Sequence, residues 1–286
     1  MTLKTDIMSF DASRALRTLE SRGGPHLEVT GRPTSGQFAT AYVRWPDGHR
    51  SVLKWRGGSG FLATHSRSFR VVKRLRELGY PVPEYEFSWR TGGGIAVVME
   101  AIDSHEPYVL THRLLDTLLD LMDRQRGAMS RRAAMPLYLL VDGPGYCQHE
   151  SLHHLGRDGE RLHDWITETG FALGDSLSGR DAVHYDFHTG NMLVDADDPD
   201  RLAGIVDWDG ACAGDASLDL VELLFAAENI RCEPGVKERL RAAVAALPGA
   251  TRQKCWAHLS LRFVDWTARN APTEADRWLA FALSGV

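Results

Sequence analysis

The fold of this chain is decided by two runs of sequence, His184-Tyr-Asp-Phe-His-Thr-Gly-Asn-Met-Leu-Val194 and Gly204-Ile-Val-Asp-Trp-Asp209. The apolar residues 192–194 predict a β-strand, and residues 202–206 predict a strand that runs back beside it. The stretch 195–200 is rich in Asp and contains a proline, a composition typical of turns. We therefore expect a short hairpin preceded by a polar loop.

Three polar side chains fall at the base of this hairpin. If its strands pair, Asn191 at the start of one strand lies near Asp207 at the end of the other. An amide oxygen beside a carboxylate suits Mg²⁺ that also binds phosphate oxygens. Asp186 lies just outside that pair and could take up a proton from a substrate hydroxyl. The alternative is a polar hairpin whose side chains only hydrogen-bond to the backbone.

Length and composition indicate an ordinary globular protein. A chain of 286 residues can bury a large core, as one domain or as two lobes. The net charge of −5 predicts no general attraction to nucleic acid. The sequence shows no signal peptide and no apolar run of membrane-spanning length. Its four cysteines form no C-x-x-C pair, which favours a reducing compartment, so we expect a cytoplasmic protein without a membrane partner.

Negative charge is concentrated in one part of the chain. Residues 181–228 contain twelve Asp or Glu residues and, among Lys and Arg, only Arg201. Some of these carboxylates would bind metal, and the remainder could attract a cationic substrate. The alternative is a solvated acidic loop at residues 195–200.

Periodicity divides the chain near residue 102. Residues 1–102 predict a helix at 10–20, strands within 26–55, a helix at about 64–78 and two further strands, as in a small lobe with an antiparallel sheet. Residues 103–286 are mainly helical, with Thr111 as a helix cap. The helices expected in this second part cover about 111–122, 159–176, 218–227, 234–246, 253–267 and 273–283.

The spacing His-x-Asp-x-x-x-x-Asn, followed by a strand and a further Asp, has the layout of kinase catalytic and metal loops. The version in this chain resembles the aminoglycoside phosphotransferase family of small-molecule kinases. The residues that carry the resemblance are His184, Asp186, His188, Gly190, Asn191 and the run 205–209. The resemblance implies an α+β, bilobal, protein-kinase-like fold, with residues 1–102 as the nucleotide-binding lobe and 103–286 as the catalytic and acceptor-binding lobe. It also implies transfer of the γ-phosphoryl group of ATP or GTP, with Mg²⁺, to a hydroxyl.

The same resemblance indicates nucleotide-binding residues in the first lobe. Lys54, on a strand after a hairpin, matches the lysine that binds phosphates in kinase-like folds. The loop containing Ser35 and Gly36 could cover the phosphates, although an ordinary hairpin turn is the alternative. Glu100 and Ile102 stand where the family has its hinge, so their backbone groups would pair with the purine.

One feature departs from the kinase pattern. Kinase-like folds pair the strand lysine with a glutamate on the following helix. No Asp or Glu occurs from Arg56 through Arg76. Either Glu77 takes this role, or Lys54 is oriented by another group such as Asp207.

Other residues of the motif are expected to support the site. His184 and His188 would hold the catalytic loop or help to position substrate. Asp209 either binds a second metal ion or braces the hairpin. Asp215 and Asp219 correspond to a downstream family segment in which such residues stabilise the loop and cap a helix.

The sequence therefore predicts a small-molecule phosphotransferase. The acidic region favours a cationic antibiotic as acceptor, such as an aminoglycoside or a basic cyclic peptide, with resistance as the outcome. A metabolic kinase for an amino alcohol, sugar or amino acid is one alternative. A kinase-like binding protein of weak activity is another, because the helix glutamate is missing. A monomer and a homodimer are both compatible with the sequence.

Overall fold

A computed structural model of the chain describes residues 11–32, 39–57, 60–91 and 94–286. The chain divides into two compact units, each made of two segments. The first unit is drawn from Met1–Glu106 and Met192–Ala211, and the second from Pro107–Asn191 and Cys212–Val286. The hairpin predicted around residue 200 thus belongs to the first unit. The functional division into 1–102 and 103–286 stays a prediction.

The helices and the strands are numbered separately, each in chain order. The helices are α1 (Ala12–Glu20), α2 (Gly60–Glu77), α3 (His112–Gln125), α4 (Glu150–His153), α5 (Gly156–Leu173), α6 (Ser217–Ala226), α7 (Val236–Ala245), α8 (Gly249–Asn270) and α9 (Ala275–Leu283). The strands are β1 (Glu28–Gly31), β2 (Thr40–Arg44), β3 (Arg50–Gly57), β4 (Tyr85–Thr91), β5 (Gly94–Glu100), β6 (Val109–Leu110), β7 (Ala133–Pro136), β8 (Ser176–Gly179), β9 (Asp181–Val183), β10 (Met192–Val194), β11 (Leu202–Ile205), β12 (Cys212–Gly214) and β13 (Arg231–Cys232).

The first unit is built on an antiparallel sheet of five strands in the order β1-β2-β3-β5-β4. Asp11 immediately precedes helix α1, and its carboxylate accepts the N–H of Arg14 at 2.9 Å and so caps the helix. Leu16 and Leu19, on the apolar face of α1, are buried in one cluster with Leu53 of β3. Burial of each such side chain contributes about 1.5–3 kcal/mol.

The predicted hairpin is confirmed as the antiparallel pair β10–β11, with Met192 opposite Ile205. Backbone hydrogen bonds attach it to the first unit: Ile205 donates to the carbonyl of Pro81 at 2.8 Å, and Val194 donates to that of His105 at 2.8 Å. The backbone of β11 packs closely against Ile102 at Gly204, where a Cβ atom would lie 2.3 Å from the Ile102 side chain. These contacts fix the start of the segment that follows β11.

The second unit is mainly helical, with three short strand pairs, β7–β8, β9–β12 and the parallel pair β6–β13. Thr111 caps α3 as expected, because its hydroxyl accepts the N–H of Leu114 at 3.1 Å. The helices α6, α8 and α9 meet in an aromatic cluster around Phe225 of α6, which meets Trp256 of α8 edge to face with ring centroids 4.8 Å apart and stacks on Trp278 of α9. This packing fixes α6 against α8, and both helices carry side chains that reach the catalytic loop.

The architecture matches the predicted α+β class, with an antiparallel sheet in one unit and mainly helices in the other. In the part of the chain that the structure describes, no helix combines the length and the apolar character needed to cross a membrane.

Candidate active site

Asp186, the predicted catalytic residue, lies in a loop of the second unit that follows strand β9. The loop ends in a single 3₁₀ turn, Thr189–Asn191. Tyr185 adopts a left-handed backbone conformation, with φ of 70°. This conformation is rare for a bulky residue, and such strain costs about 1–3 kcal/mol. The loop therefore keeps its shape only because neighbouring groups hold it.

Two buried carboxylates on helix α6 hold the backbone of this loop. Asp219 accepts the N–H of His184 at 2.8 Å and that of Tyr185 at 3.1 Å. Glu222 accepts the N–H of Phe187 at 2.7 Å. Both carboxylates are fully buried, and residues three apart share one face of a helix. Helix α6 thus satisfies three amide groups of the loop, and the expected stabilising role of Asp219 is confirmed.

Burial also changes the acidity of these two groups. Loss of solvent raises the pKa of Asp219 to about 7, although hydrogen bonds from the backbone and from Gln125 oppose the shift. Burial raises the pKa of Glu222 as well, and the nearby charge of Arg262 opposes that shift. Asp215, just before α6, accepts the N–H of Ser217 at 3.0 Å, in keeping with a capping role.

The Asp186 carboxylate is held at both oxygens. Its Oδ1 accepts a hydrogen bond from Arg262, and its Oδ2 accepts one from the Asn191 amide at 3.2 Å. Burial alone would raise the pKa of Asp186, but the Arg262 guanidinium and the neighbouring His188 ring outweigh it and hold that pKa well below its usual range. The side chain still exposes 33% of its surface. An ionised, fixed and accessible carboxylate can accept a hydrogen bond from a hydroxyl.

Arg262 was not among the predicted site residues. It lies on helix α8, where sequence periodicity indicates only core packing. Its Nη1 donates to the carbonyl of Tyr185 at 2.7 Å and lies 3.1 Å from Glu222, and its guanidinium stacks 5.2 Å above the ring of Tyr146. The stripe of α8 that carries Arg262 also carries His258, Asp265 and Arg269, so no sequence signal distinguished this arginine. Its partners could not be read from the sequence.

The two predicted supporting histidines both lie in the loop. His184 is fully buried, and its ring meets Phe187 edge to face at 5.8 Å. His188 accepts the N–H of Gly190 at its Nδ1 (3.1 Å), and its Nε2 lies 3.6 Å from Asp186. Burial lowers the pKa of His188, but the neighbouring Asp186 carboxylate raises it by more, so the net shift of the pKa is upwards. Both residues are placed to support the loop, and their roles stay predictions.

Asn191, the predicted metal ligand of the second unit, ends the loop. Its amide nitrogen donates to the backbone carbonyl of Asp186 at 2.9 Å and to the carboxylate of the same residue. The amide oxygen is then the atom that can bind a cation.

The predicted phosphate and metal residues of the first unit form a compact charge cluster, which we call the strand cluster. Lys54 of β3 donates from Nζ to Asp207 at 2.8 Å and lies 3.7 Å from Asp209. Arg56 donates to Asp209 and lies 3.6 Å from Asp207. Residues two apart on a strand point to the same face, which brings both cations to the same pair of carboxylates.

A short turn after β11 places these two carboxylates. Asp207 adopts a left-handed conformation, with φ of 63°, and leads into the 3₁₀ turn Trp208–Gly210. Trp208 is buried, donates from its indole N–H to the carbonyl of Ile205 at 2.7 Å, and meets Tyr80 edge to face at 5.6 Å. The buried indole fixes the turn, so Asp207 and Asp209 are presented on either side of it.

This cluster resolves the question of the missing helix glutamate. Glu77 forms an ion pair with Arg74 of its own helix at 3.1 Å. Lys54 pairs with Asp207, which is the second of the two alternatives stated from the sequence. Arg56, which the sequence reasoning did not single out, contributes a second cation at the same place. Burial lowers the pKa of Arg56, and the charge of Asp207 opposes that shift.

The other residues predicted to bind nucleotide belong to the loop at residues 35–36 and to the end of strand β5. Ser35 and Gly36 lie outside the described residues. Glu100 ends β5, and its N–H donates to the carbonyl of Glu84 at 2.9 Å. A cavity of about 500 Å³ lies beside this strand end, and the residues lining it include Arg76, Tyr80, Pro81, Glu100, Ile102 and Asp103.

Much of the negative charge between residues 181 and 228 has a partner within its own unit. Besides the carboxylates already described, Asp195 pairs with Arg201, and Glu228 lies 2.9 Å from Lys237. Asp181 accepts the N–H of Gly127 at 2.8 Å. The concentration of acidic residues is therefore weaker support for a cationic acceptor than the sequence suggested.

The donor set can be tested against Mg²⁺. In the ranges that the structure describes, no three His, Cys, Asp or Glu side chains form a metal cluster. Asp207 and Asn191 instead offer one carboxylate and one amide oxygen. Mg²⁺ in nucleotide-dependent enzymes is commonly bound by one or two carboxylates together with substrate phosphates and water. Asp207 in the first unit and Asn191 in the second therefore each offer an oxygen of the type that such an ion binds.

The sequence profile of the phosphotransferase enzyme family, APH, matches residues 30–264. The chain belongs to this family. The resemblance to aminoglycoside phosphotransferases is thereby confirmed, and the chain is a phosphotransferase by family. No curated protein matches the chain in sequence.

Solved structures of phosphotransferases share the fold of this family member. Amicoumacin kinase hAmiN has a TM-score of 0.64 at 11% identity, over 100% of this chain and 97% of its own. A protein assigned as a fructosamine-3-kinase from Thermobifida fusca has a TM-score of 0.60 at 16% identity, over 96% and 99%. Aminoglycoside phosphotransferase APH(3'')-Id from Streptomyces rimosus has a TM-score of 0.52 at 15% identity, over 88% and 98%. These identities are low, so the likeness establishes the kinase-like fold alone.

Two of these relatives have been seen with ligands. The Streptomyces rimosus enzyme was solved with ADP and streptomycin, and amicoumacin kinase with AMP-PNP, Ca²⁺ and Ami. Antibiotic kinases and a protein assigned as a fructosamine-3-kinase thus share one fold, and the fold does not select among their acceptors.

Proposed function

We propose that this phosphotransferase transfers the γ-phosphoryl group of ATP or GTP to a hydroxyl of a small-molecule acceptor. The observation that carries the proposal is the Asp186 carboxylate, which is held at both oxygens and is still one-third exposed. In phosphoryl transfer the protein contributes mainly positioning and charge neutralisation. A fixed carboxylate in a preorganised loop supplies the first of these.

On the acceptor side, Asp186 accepts a hydrogen bond from the hydroxyl and orients its oxygen towards phosphorus. The new P–O bond forms as the bond to the nucleoside diphosphate breaks, and Asp186 receives the hydroxyl proton. Because the pKa of Asp186 lies well below its usual range, it is a weak base. Its main contribution is orientation, and no phospho-enzyme is required.

On the nucleotide side, Lys54 neutralises the α- and β-phosphates, and Asn191 and Asp207 hold Mg²⁺. The metal ion, when bound, neutralises charge on the phosphate oxygens. The N–H of Glu100 is already used by Glu84, so the Glu100 carbonyl is the group that pairs with the purine, together with the backbone of Ile102.

The other predicted assignments belong to the same proposal. Ser35 and Gly36 cover the phosphates, and His184, His188 and Asp209 support the site. Residues 1–102 bind nucleotide, and residues 103–286 carry catalysis and the acceptor. The same proposal places the protein in the cytoplasm, where nucleoside triphosphate is supplied.

We propose a cationic antibiotic as the first acceptor class to test, with resistance as the result. Its support is the antibiotic kinases among proteins of the same fold. An amine-bearing sugar metabolite is the second candidate, because a structure assigned as a fructosamine-3-kinase has a TM-score of 0.60.

The test is a panel of acceptors incubated with labelled ATP or GTP and Mg²⁺. The panel contains aminoglycosides, basic cyclic peptides, a glycated amine, and neutral and anionic metabolites as controls. Asp186→Asn should lower turnover with the true acceptor by about 10²–10⁴-fold while nucleotide affinity, measured by calorimetry, changes little.

Each result has a definite consequence. Phosphorylation of neutral or anionic metabolites alone would refute the antibiotic assignment but keep the kinase. Near-wild-type turnover of Asp186→Asn would refute the role of Asp186. Metal-independent nucleotide binding without transfer to any acceptor would establish a binding protein instead.

A further inference from the structure

One largely buried arginine connects the catalytic carboxylate to the residues that hold the loop. Arg262 donates from Nη2 to Oδ1 of Asp186, while its Nη1 contacts both the Tyr185 carbonyl (2.7 Å) and the Glu222 carboxylate (3.1 Å). Its side chain exposes 16% of its surface, and Glu222 exposes none. One cation therefore links two carboxylates and a carbonyl.

Core packing alone does not explain this arrangement. Burying an arginine between carboxylates costs desolvation energy, and well-packed apolar residues are often at least as stable. Arg262 lies on helix α8, more than seventy residues along the chain from Asp186. A residue that only filled the core at this place would not need to grip two consecutive residues of the strained loop.

The shape of the guanidinium group decides what these contacts achieve. Its nitrogens are held in one rigid plane, so the bonds from Nη1 fix the direction in which Nη2 donates. Tyr185, with its positive φ, is fixed through its carbonyl, and Asp186 is fixed through Oδ1. The carboxylate then cannot rotate without breaking contacts on both sides.

We propose that Arg262 is a positioning residue for phosphoryl transfer: it engages Oδ1 of Asp186 and so presents Oδ2 to the acceptor hydroxyl. The inference rests on the proposed function, because it concerns the same carboxylate. Oδ2 accepts one hydrogen bond, from Asn191, and a carboxylate oxygen can accept a second. Arg262 acts through Asp186 and does not itself touch the reacting atoms.

The test compares Arg262→Ala with a matched control on the same helix, Arg269→Ala. Arg269 also pairs with a buried carboxylate, Asp265, through bonds of 2.6 Å, and both Asp265 and its other partner, the Gly145 carbonyl, lie outside the catalytic loop. Arg262→Ala should lower kcat about 100-fold, since a misplacement of about 1 Å at a reacting group has an effect of this size. The KM for nucleotide should change less than about threefold. Arg269→Ala should keep kcat within about threefold of the wild type.

Chemical rescue separates positioning from simple support. Guanidinium ion at tens of millimolar can enter the space left in Arg262→Ala and should restore kcat about tenfold, with no gain for the wild type or for Arg269→Ala. Arg262→Lys should stay at least about tenfold below the wild type, because an ammonium group lacks the planar fork. Near-wild-type kcat in Arg262→Ala, or an equal loss in Arg269→Ala, would overturn the proposal, as would the absence of selective rescue.

A second variant covers the case in which Arg262→Ala does not fold. Arg262→Met combined with Glu222→Gln removes the cation together with its buried counter-charge. This double variant should fold and still show about 100-fold lower kcat, and wild-type turnover in it would overturn the role of Arg262. A wild-type protein that phosphorylates no acceptor would instead refute the proposed function, so the two failures are distinguishable.

Discussion

The protein pairs carboxylates with cations in two regions, and the two pairings differ in balance and in burial. The strand cluster of the first unit sets two cations against two carboxylates, and those carboxylates expose 32% and 27% of their side chains. In the second unit one cation, Arg262, serves two carboxylates, Asp186 and Glu222, and Glu222 is fully buried. We call this second group the loop cluster.

The difference indicates which region can exchange partners. A partly exposed and balanced cluster can release a carboxylate when phosphate or metal charge arrives, because each ion keeps another partner or water. A buried carboxylate that loses its partner has no water to replace it. The strand cluster is thus suited to binding a charged ligand, and the loop cluster to holding one geometry.

The largest expected effect is on stability and lies beneath the loop cluster. Asp219→Ala leaves the N–H groups of His184 and Tyr185 and the Gln125 amide without their acceptor, so the free energy of unfolding should fall by about 3–5 kcal/mol. In the strand cluster, Asp207→Ala should cost about 1 kcal/mol. Urea unfolding followed by circular dichroism measures both, and equal losses would contradict the comparison.

The pH dependence of stability should also come from the loop region. Because burial raises the pKa of Asp219 to about 7, the folded state holds a proton there that the unfolded state releases above about pH 4. This contribution to stability is complete below pH 4 and is lost as the pH rises to 7. The stability advantage of the wild type over Asp219→Asn should therefore shrink by about 2–4 kcal/mol between pH 4 and pH 8. A pH-independent difference between the two unfolding curves would show that Asp219 is ionised throughout.

Within the strand cluster, Lys54→Met should lower kcat/KM for nucleotide about 100-fold, because the phosphates lose their cation. The matched control is Arg50→Met on the same strand, whose exposed pair with Asp103 spans 3.0 Å. That control should stay within about threefold of the wild type. Steady-state kinetics with varied nucleotide measures both variants. Similar losses of kcat/KM would mean that removing any cation from strand β3 impairs the enzyme, and would contradict a specific role for Lys54.

The smallest effect is expected for Arg56→Lys. If the strand cluster needs charge more than a fixed fork, turnover should fall only about threefold. Arg262→Lys in the loop cluster should lose at least about tenfold. Comparable losses for the two substitutions would remove the distinction between an exchangeable and a fixed cluster.

The hairpin, the helical second half and the kinase-like motif could all be predicted, since each depends on short-range spacing. Strand β10 and the cap at Thr111 follow from periodicity and from side-chain to backbone bonds a few residues apart. The order of strands in the sheet could not be predicted from the sequence, because pairing of β3 with β5 depends on the packing of the whole unit. The acidic region gave too strong an indication of a cationic substrate, because composition does not show which carboxylates form ion pairs within each unit.

Residue spacing along the chain was enough to indicate a phosphotransferase and to place Asp186, Asn191 and Asp207 on one motif. Only the folded units revealed that Arg56 contacts the same carboxylates as Lys54 and that Arg262 donates a hydrogen bond to Asp186. The physical reason is that periodicity reports which side chains are buried. Which cation meets which carboxylate depends on contacts between elements that are far apart in sequence.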